Sequence, residues 1–175
     1  ASVFNFILAI ATFQVLTKFN LNLNYCFFYS LLVSILAYPS SGTPFMDHHA
    51  FYFAYLSIIF LSLGILSNRN LYWILMPITL SISFLSKQIP SSYILFLLII
   101  FIIYYFKTNK AKTKNIIKNL SLSISAILFV FLIWILITGI PIKSFFVQYF
   151  QYPMSIGDQR IGIIKFDINS FILQI

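Results

Sequence analysis

Asp47, His48 and His49 stand together in the stretch GTPFMDHHAF, residues 42–51 of a chain that has only three acidic residues and two histidines among its 175. A carboxylate beside imidazoles is the kind of group that takes up a proton or holds a divalent ion. Further along, FLSKQIP supplies Lys87 and Gln88, and IGDQRIG supplies Arg160. An ammonium suits phosphate oxygens as a point charge with three donors, and a guanidinium suits them as a planar fork. Each residue also has a purely structural reading. Behind GTP, with Thr43 as cap and Pro44 in the first helical position, Asp47 complements a helix dipole. Lys87 does the same at a helix end and can extend to water. Arg160 can pair with Asp158 on the surface, and a histidine at a membrane interface can serve as an amphipathic side chain. On a helix, Asp47 and His49 point to nearly opposite sides, whereas on an extended segment they share a side and could grip one ion.

The surroundings of these residues are set by composition. Hydrophobic residues make up 61% of the chain, charged residues 8%, and the mean hydropathy is +0.96. A soluble core of this size cannot hide so much apolar surface, so the sequence predicts a polytopic, all-α transmembrane bundle. Six helices are expected, at 1–17, 24–39, 45–67, 71–86, 91–106 and 119–140, each near the roughly 20 residues that span hydrocarbon. Residues 1–140 form the transmembrane region. Residues 141–175 form a juxtamembrane segment, in which the aromatic residues of SFFVQYFQYP suit a short helix at headgroup level. Opening on Ala1 inside an apolar run, the chain reads as a fragment of a longer protein, with neither a basic start nor a cleavage site for a signal peptide. Cys26, the single cysteine, has apolar neighbours and is expected as a buried thiol.

Lysines orient the bundle. Lys107, Lys110, Lys112, Lys114 and Lys118 crowd into one short stretch, which marks residues 107–118 as a cytoplasmic loop. Much of the net charge of +8 is therefore a topology signal, and it argues against a nucleic-acid partner. The same location makes the NLS pattern at Asn119 irrelevant as a glycosylation acceptor. Counting helices back and forth puts Lys18 and Arg69 inside, and Asp47, His48, His49, Lys87, Gln88 and residues 141–175 outside. No Asp, Glu, Lys, Arg or His falls in the middle of a predicted span. Ion-coupled carriers place such groups near the midplane, so the pattern favours chemistry at the outer interface. Nothing frames a serine in the strand–turn–helix elbow of a Ser-His-Asp hydrolase.

The run from GTPFMDHH to FLSKQ resembles the middle of GT-C superfamily glycosyltransferases, membrane enzymes that use polyprenyl-phosphate-linked sugars and include protein mannosyltransferases and lipid A aminoarabinose transferase. In that family an outer-face Asp opens a helix, a hairpin with a short basic cytoplasmic turn follows, and a hydrophobic residue, Ser or Thr, Lys and Gly close it. Asp47 and LSKQ fit, with Gln88 where the family commonly has Gly. DHH is also similar to the second acidic motif of archaeal oligosaccharyltransferase catalytic subunits. That resemblance implies a divalent ion, Mg or Mn, on Asp47 and His49. The likeness covers roughly residues 40–107 and rests on short motifs. The family's first acidic motif has no counterpart and would precede Ala1, so the chain alone is expected to be inactive.

The resemblance thus implies a membrane glycosyltransferase of a bacterial inner membrane, moving a sugar from a polyprenyl-phosphate donor to an acceptor at the periplasmic face. Asp47 and Lys87 are its catalytic residues; His48, His49, Gln88 and Arg160 bind substrate. The competing expectation is a non-catalytic polytopic protein, a flippase or a transporter subunit.

Overall fold

A computed structural model describes residues 2–38 and 46–155. All regular structure among them is helical: α1 (Ser2–Lys18), α2 (Leu23–Leu36), α3 (Met46–Ser67), α4 (Asn70–Ser86), α5 (Gln88–Thr108), α6 (Lys110–Thr138) and α7 (Ile142–Phe146), the last continued by a π-helical turn (Val147–Gln151). Three of these, α3, α5 and α6, are long and apolar enough to cross a membrane, while α1, α2 and α4 are shorter apolar helices.

Two boundaries depart from the sequence expectation for identifiable reasons. The lysine-rich stretch 107–118 is no loop: α5 runs to Thr108, Asn109 alone breaks the helix, and α6 begins at Lys110. Lysine and alanine are good helix formers, and polarity alone does not unwind them. In the same way α5 begins at Gln88 rather than 91. Pro90 is its third residue, where the backbone N–H would have no partner inside the helix, so its absence there costs nothing.

The chain divides into two compact units, Ala1–Leu128 and Phe129–Ile175. In the first, α3 is the central helix, packed along α4 and also against α1 and α5. Half of its apolar window is buried against protein, compared with 17% for α5 and 11% for α6, which leaves those two helices largely to lipid or to other chains. The α3–α4 turn is made by Asn68, whose left-handed backbone (φ 52°) ends α3 and donates its N–H to the Gly64 carbonyl at 3.2 Å. Asparagine tolerates that conformation better than other non-glycine residues.

One close approach shapes the interior of the hairpin. Trp73 on α4 is 2% exposed and lies over Gly64 on α3, where an added Cβ would come within 3.1 Å of the indole. Small residues let membrane helices approach in this way. The indole has little room to retreat, because the Tyr105 ring of α5 lies 5.6 Å away on centroids. Gly64→Ala is therefore expected to destabilise the protein by about 1–3 kcal/mol through overpacking, read as a lower unfolding midpoint in detergent.

Polar side chains tie the remaining helices of this unit together. Asn5 donates to the Ser34 carbonyl of α2 at 3.1 Å, Thr12 and Tyr55 share a hydroxyl contact of 3.2 Å between α1 and α3, and Ser123 of α6 donates to the Ile74 carbonyl at 2.8 Å. Cys26 is buried, as its neighbours predict. In the second unit an aromatic stack links Phe131, Phe145 and Tyr149, with ring centroids 4.9 and 4.7 Å apart, and burial pushes the Tyr149 phenol up. The short helix expected at SFFVQYFQYP is thus present, as α7 and its π-helical continuation.

Candidate functional site

The helices of the first unit run back and forth between two ends. At one end lie the start of α3, with Asp47, His48 and His49, and the α4–α5 break, with Lys87. At the other lie Lys18, Arg69 and the lysine-rich start of α6, where Asn115 donates to Asn70 at 2.9 Å and Tyr105 reaches Asn68 at 3.4 Å. The 22 residues of α3 separate these ends by roughly 33 Å at about 1.5 Å per residue, close to the hydrocarbon thickness of a bilayer.

Asp47 and Lys87 form an ion pair. Each arrives by a different route. Asp47 sits in the first turn of α3, where its charge also complements the positive helix end. Lys87 is the single residue between α4 and α5, extended at φ −158° and ψ 130°, so its side chain leaves the bundle where two helix axes meet. Asp47 is the only acid among the described residues, and it is paired with Lys87, the one lysine at that end of the first unit.

The pair does not hold the helices together. Its side chains are 64% and 42% exposed, and an ion pair so open to water contributes only about 0–1 kcal/mol. The positioning comes from beneath. Ser83 and Ser91, both fully buried, lie four residues before and four after Lys87. Ser83 Oγ lies 2.6 Å from the Ala50 carbonyl of α3 and 2.6 Å from Ser91 Oγ, and Ser91 Oγ lies 2.8 Å from the Lys87 carbonyl. Each serine has one O–H to donate, so two of these three contacts are hydrogen bonds at any time and the serine–serine contact exchanges with the two to carbonyls. The chain of oxygens ties the first turns of α3 to the backbone of Lys87 itself. Ser83→Ala is expected to destabilise by about 0.5–2 kcal/mol, the range of interhelical hydrogen bonds in membrane proteins, seen in detergent unfolding.

Two further contacts hold the start of α3. Tyr52 is fully buried and donates to the Ala37 carbonyl at the end of α2, at 2.8 Å. The ring of Phe4 on α1 stacks on Tyr52 at 5.6 Å and meets the His49 ring edge-on at 5.8 Å. The first turns of α3 are thereby anchored to α1, α2 and α4 at once.

Helical geometry separates the proposed metal ligands. Residues 46–49 are α-helical, so Asp47 faces Lys87 while His49 packs on Phe4. The two side chains do not converge as a pair of ligands, and no cluster of three or more His, Cys, Asp or Glu occurs among the described residues. The donor set in this arrangement does not fit a divalent ion. His48 and Gln88 flank the pair, in the first turn of α3 and at the start of α5, both partly buried. Arg160, Asp158, Thr43 and Pro44 lie outside the described residues.

Phe4, Tyr52, Ser83 and Ser91 carry no charge and went unmarked in the sequence. Ser83 and Ser91 do stand four residues either side of Lys87, a spacing that puts them on its helix faces but that does not mark them by type. No family model matches the chain, and no curated protein and no solved structure matches it.

Proposed function

We propose that this chain is part of a GT-C-like integral membrane glycosyltransferase that moves a sugar from a polyprenyl-phosphate-linked donor to an acceptor at the periplasmic face of a bacterial inner membrane. The Asp47–Lys87 pair carries the proposal. A carboxylate and an ammonium adjoin at the end of a membrane-length helix, the level at which a lipid phosphate sits. In this reading the bundle is six-helical, the lysine-rich start of α6 is cytoplasmic, and α7 with its π-helical continuation lies on the outer surface.

The chemistry divides between the two groups. The acceptor attacks the anomeric carbon, the bond from that carbon to the phosphate oxygen breaks, and polyprenyl phosphate leaves with the bonding electrons. Asp47 orients the acceptor and draws its proton. Lys87 turns to the phosphate and stabilises the charge that builds on the leaving oxygen. Because the resting pair contributes so little, an arriving phosphate can draw Lys87 away and leave the carboxylate to the acceptor. His48, His49 and Gln88 shape the surrounding site.

The absence of Asp, Glu, Lys, Arg and His from the middle of α1 to α5 supports an interfacial enzyme over a carrier. The test is reconstitution of the full-length protein in vesicles with a polyprenyl-phosphate-linked sugar. Acceptor-dependent release of free polyprenyl phosphate is expected. Movement of the intact sugar lipid between leaflets, without release, would instead establish a flippase.

A further inference from the structure

At the end of α3 opposite Asp47, a cleft of about 180 Å³ opens between the end of α1 and the α3–α4 turn. Its polar lining is Gln14, Thr17, Lys18, Ser67, Arg69 and Tyr72. Two full positive charges face one small space. Among the described residues no acid balances them, since the only one is at the far end and paired with Lys87. Neither Lys18 nor Arg69 makes an ion pair among the described residues.

A second feature is independent of charge. Ser67 lines this cleft, and its Oγ is shielded from solvent and makes no hydrogen bond. Thr17 beside it spends its proton on the Gln14 carbonyl at 2.9 Å, and Ser62, one turn earlier on α3, on the Ile58 carbonyl at 2.9 Å. Serines in helices commonly satisfy themselves on the preceding turn in this way. Ser67 does not: its Oγ is covered in this rotamer, and a change of χ1 turns it toward the cleft that the residue lines. A buried polar group without a partner is unfavourable unless something binds it.

We propose that this cleft binds a phosphate group, with Arg69 and Lys18 supplying charge-assisted hydrogen bonds and Ser67 a neutral one. The guanidinium fork matches two phosphate oxygens, the ammonium takes a third as a point charge, and the hydroxyl completes the set. The volume admits one phosphate with a small substituent. By the lysine rule this end is cytoplasmic, so the phosphate is that of an inner-leaflet lipid headgroup or a free phosphate in the cytoplasm. The site lies roughly a bilayer's thickness from Asp47 and binds whatever chemistry Asp47 performs.

The test places the full-length protein in phosphatidylcholine nanodiscs. Inorganic phosphate is titrated by ³¹P line broadening, and retention of added phosphatidylglycerol is counted by native mass spectrometry. One phosphate-bearing ligand per chain is expected. Lys18→Gln with Arg69→Gln should weaken binding at least about tenfold, and Ser67→Ala about threefold, as expected for two charge-assisted bonds and one neutral bond. Both cations are exposed, so the double variant should keep the wild-type unfolding midpoint. Saturable inorganic phosphate identifies the free anion as ligand, whereas retained phosphatidylglycerol that phosphate does not displace identifies the headgroup. A charge-matched control, Lys110→Gln with Lys112→Gln, removes two cations at the same end outside the cleft and should leave binding intact. Equal loss in that control would show a diffuse positive surface and overturn the site, as would failure of both ligands to bind the wild-type protein.

Discussion

Asp47→Asn in the full-length protein is expected to lower the rate of the proposed sugar transfer by about 10²–10⁴-fold, the usual contribution of a positioned general base. Asparagine has the same shape and keeps a hydrogen-bonding oxygen, but it cannot take up a proton. The fold should not register the change. The carboxylate is 64% exposed, its pair with Lys87 contributes at most about 1 kcal/mol, and the first turn of α3 is held by Tyr52, Phe4 and Ser83 rather than by Asp47. Expression and unfolding midpoint close to wild type, with transfer lost, is therefore the expected pattern. Unchanged transfer would mean that Asp47 serves only the helix dipole, and the proposed chemistry would fall.

Lys87→Ala is expected to cost about 10²–10³-fold in transfer, the scale seen when one group that stabilises developing negative charge is removed. Its backbone role survives the substitution. The carbonyl contacted by Ser91 and the N–H that donates to Ser83 at 3.0 Å remain whatever the side chain. Lys87→Arg separates charge from shape: it should restore donor binding in part, because the guanidinium still meets phosphate but from a longer, planar head. If both residues act in one transition state, combining Asp47→Asn with Lys87→Ala should cost much less than the product of the single effects. Independent effects would place the two residues at separate tasks.

Much of the architecture is legible because the bilayer admits few solutions. Apolar runs of membrane length must form helices, since backbone groups find no water in hydrocarbon. The α3 and α4 boundaries at residues 67 and 86, and the turn between them, follow from polar residues in SNRN and SKQ. Even the juxtaposition of Asp47 and Lys87 is implicit, because two successive crossings return the chain to the end from which it left. Where the reading fails, at residues 107–118 and at Pro90, the same residue types suit both a loop and a helix terminus: Lys and Ala propagate a helix, and Pro90 falls in a first turn where its missing N–H has no partner to lose.

Charge and hydrophobicity along the chain determined the helical class, the two ends of the bundle and which end receives the acid. Tertiary structure decided what a linear pattern cannot carry: that Asp47 turns to Lys87 while His49 turns to Phe4, that two neutral serines tie α3 to the break before α5, and that Lys18, Ser67 and Arg69 line one cleft. The physical reason is that hydrophobic burial is non-directional and additive along a sequence, whereas hydrogen bonds and ion pairs depend on the rotation and depth of each helix against its neighbours.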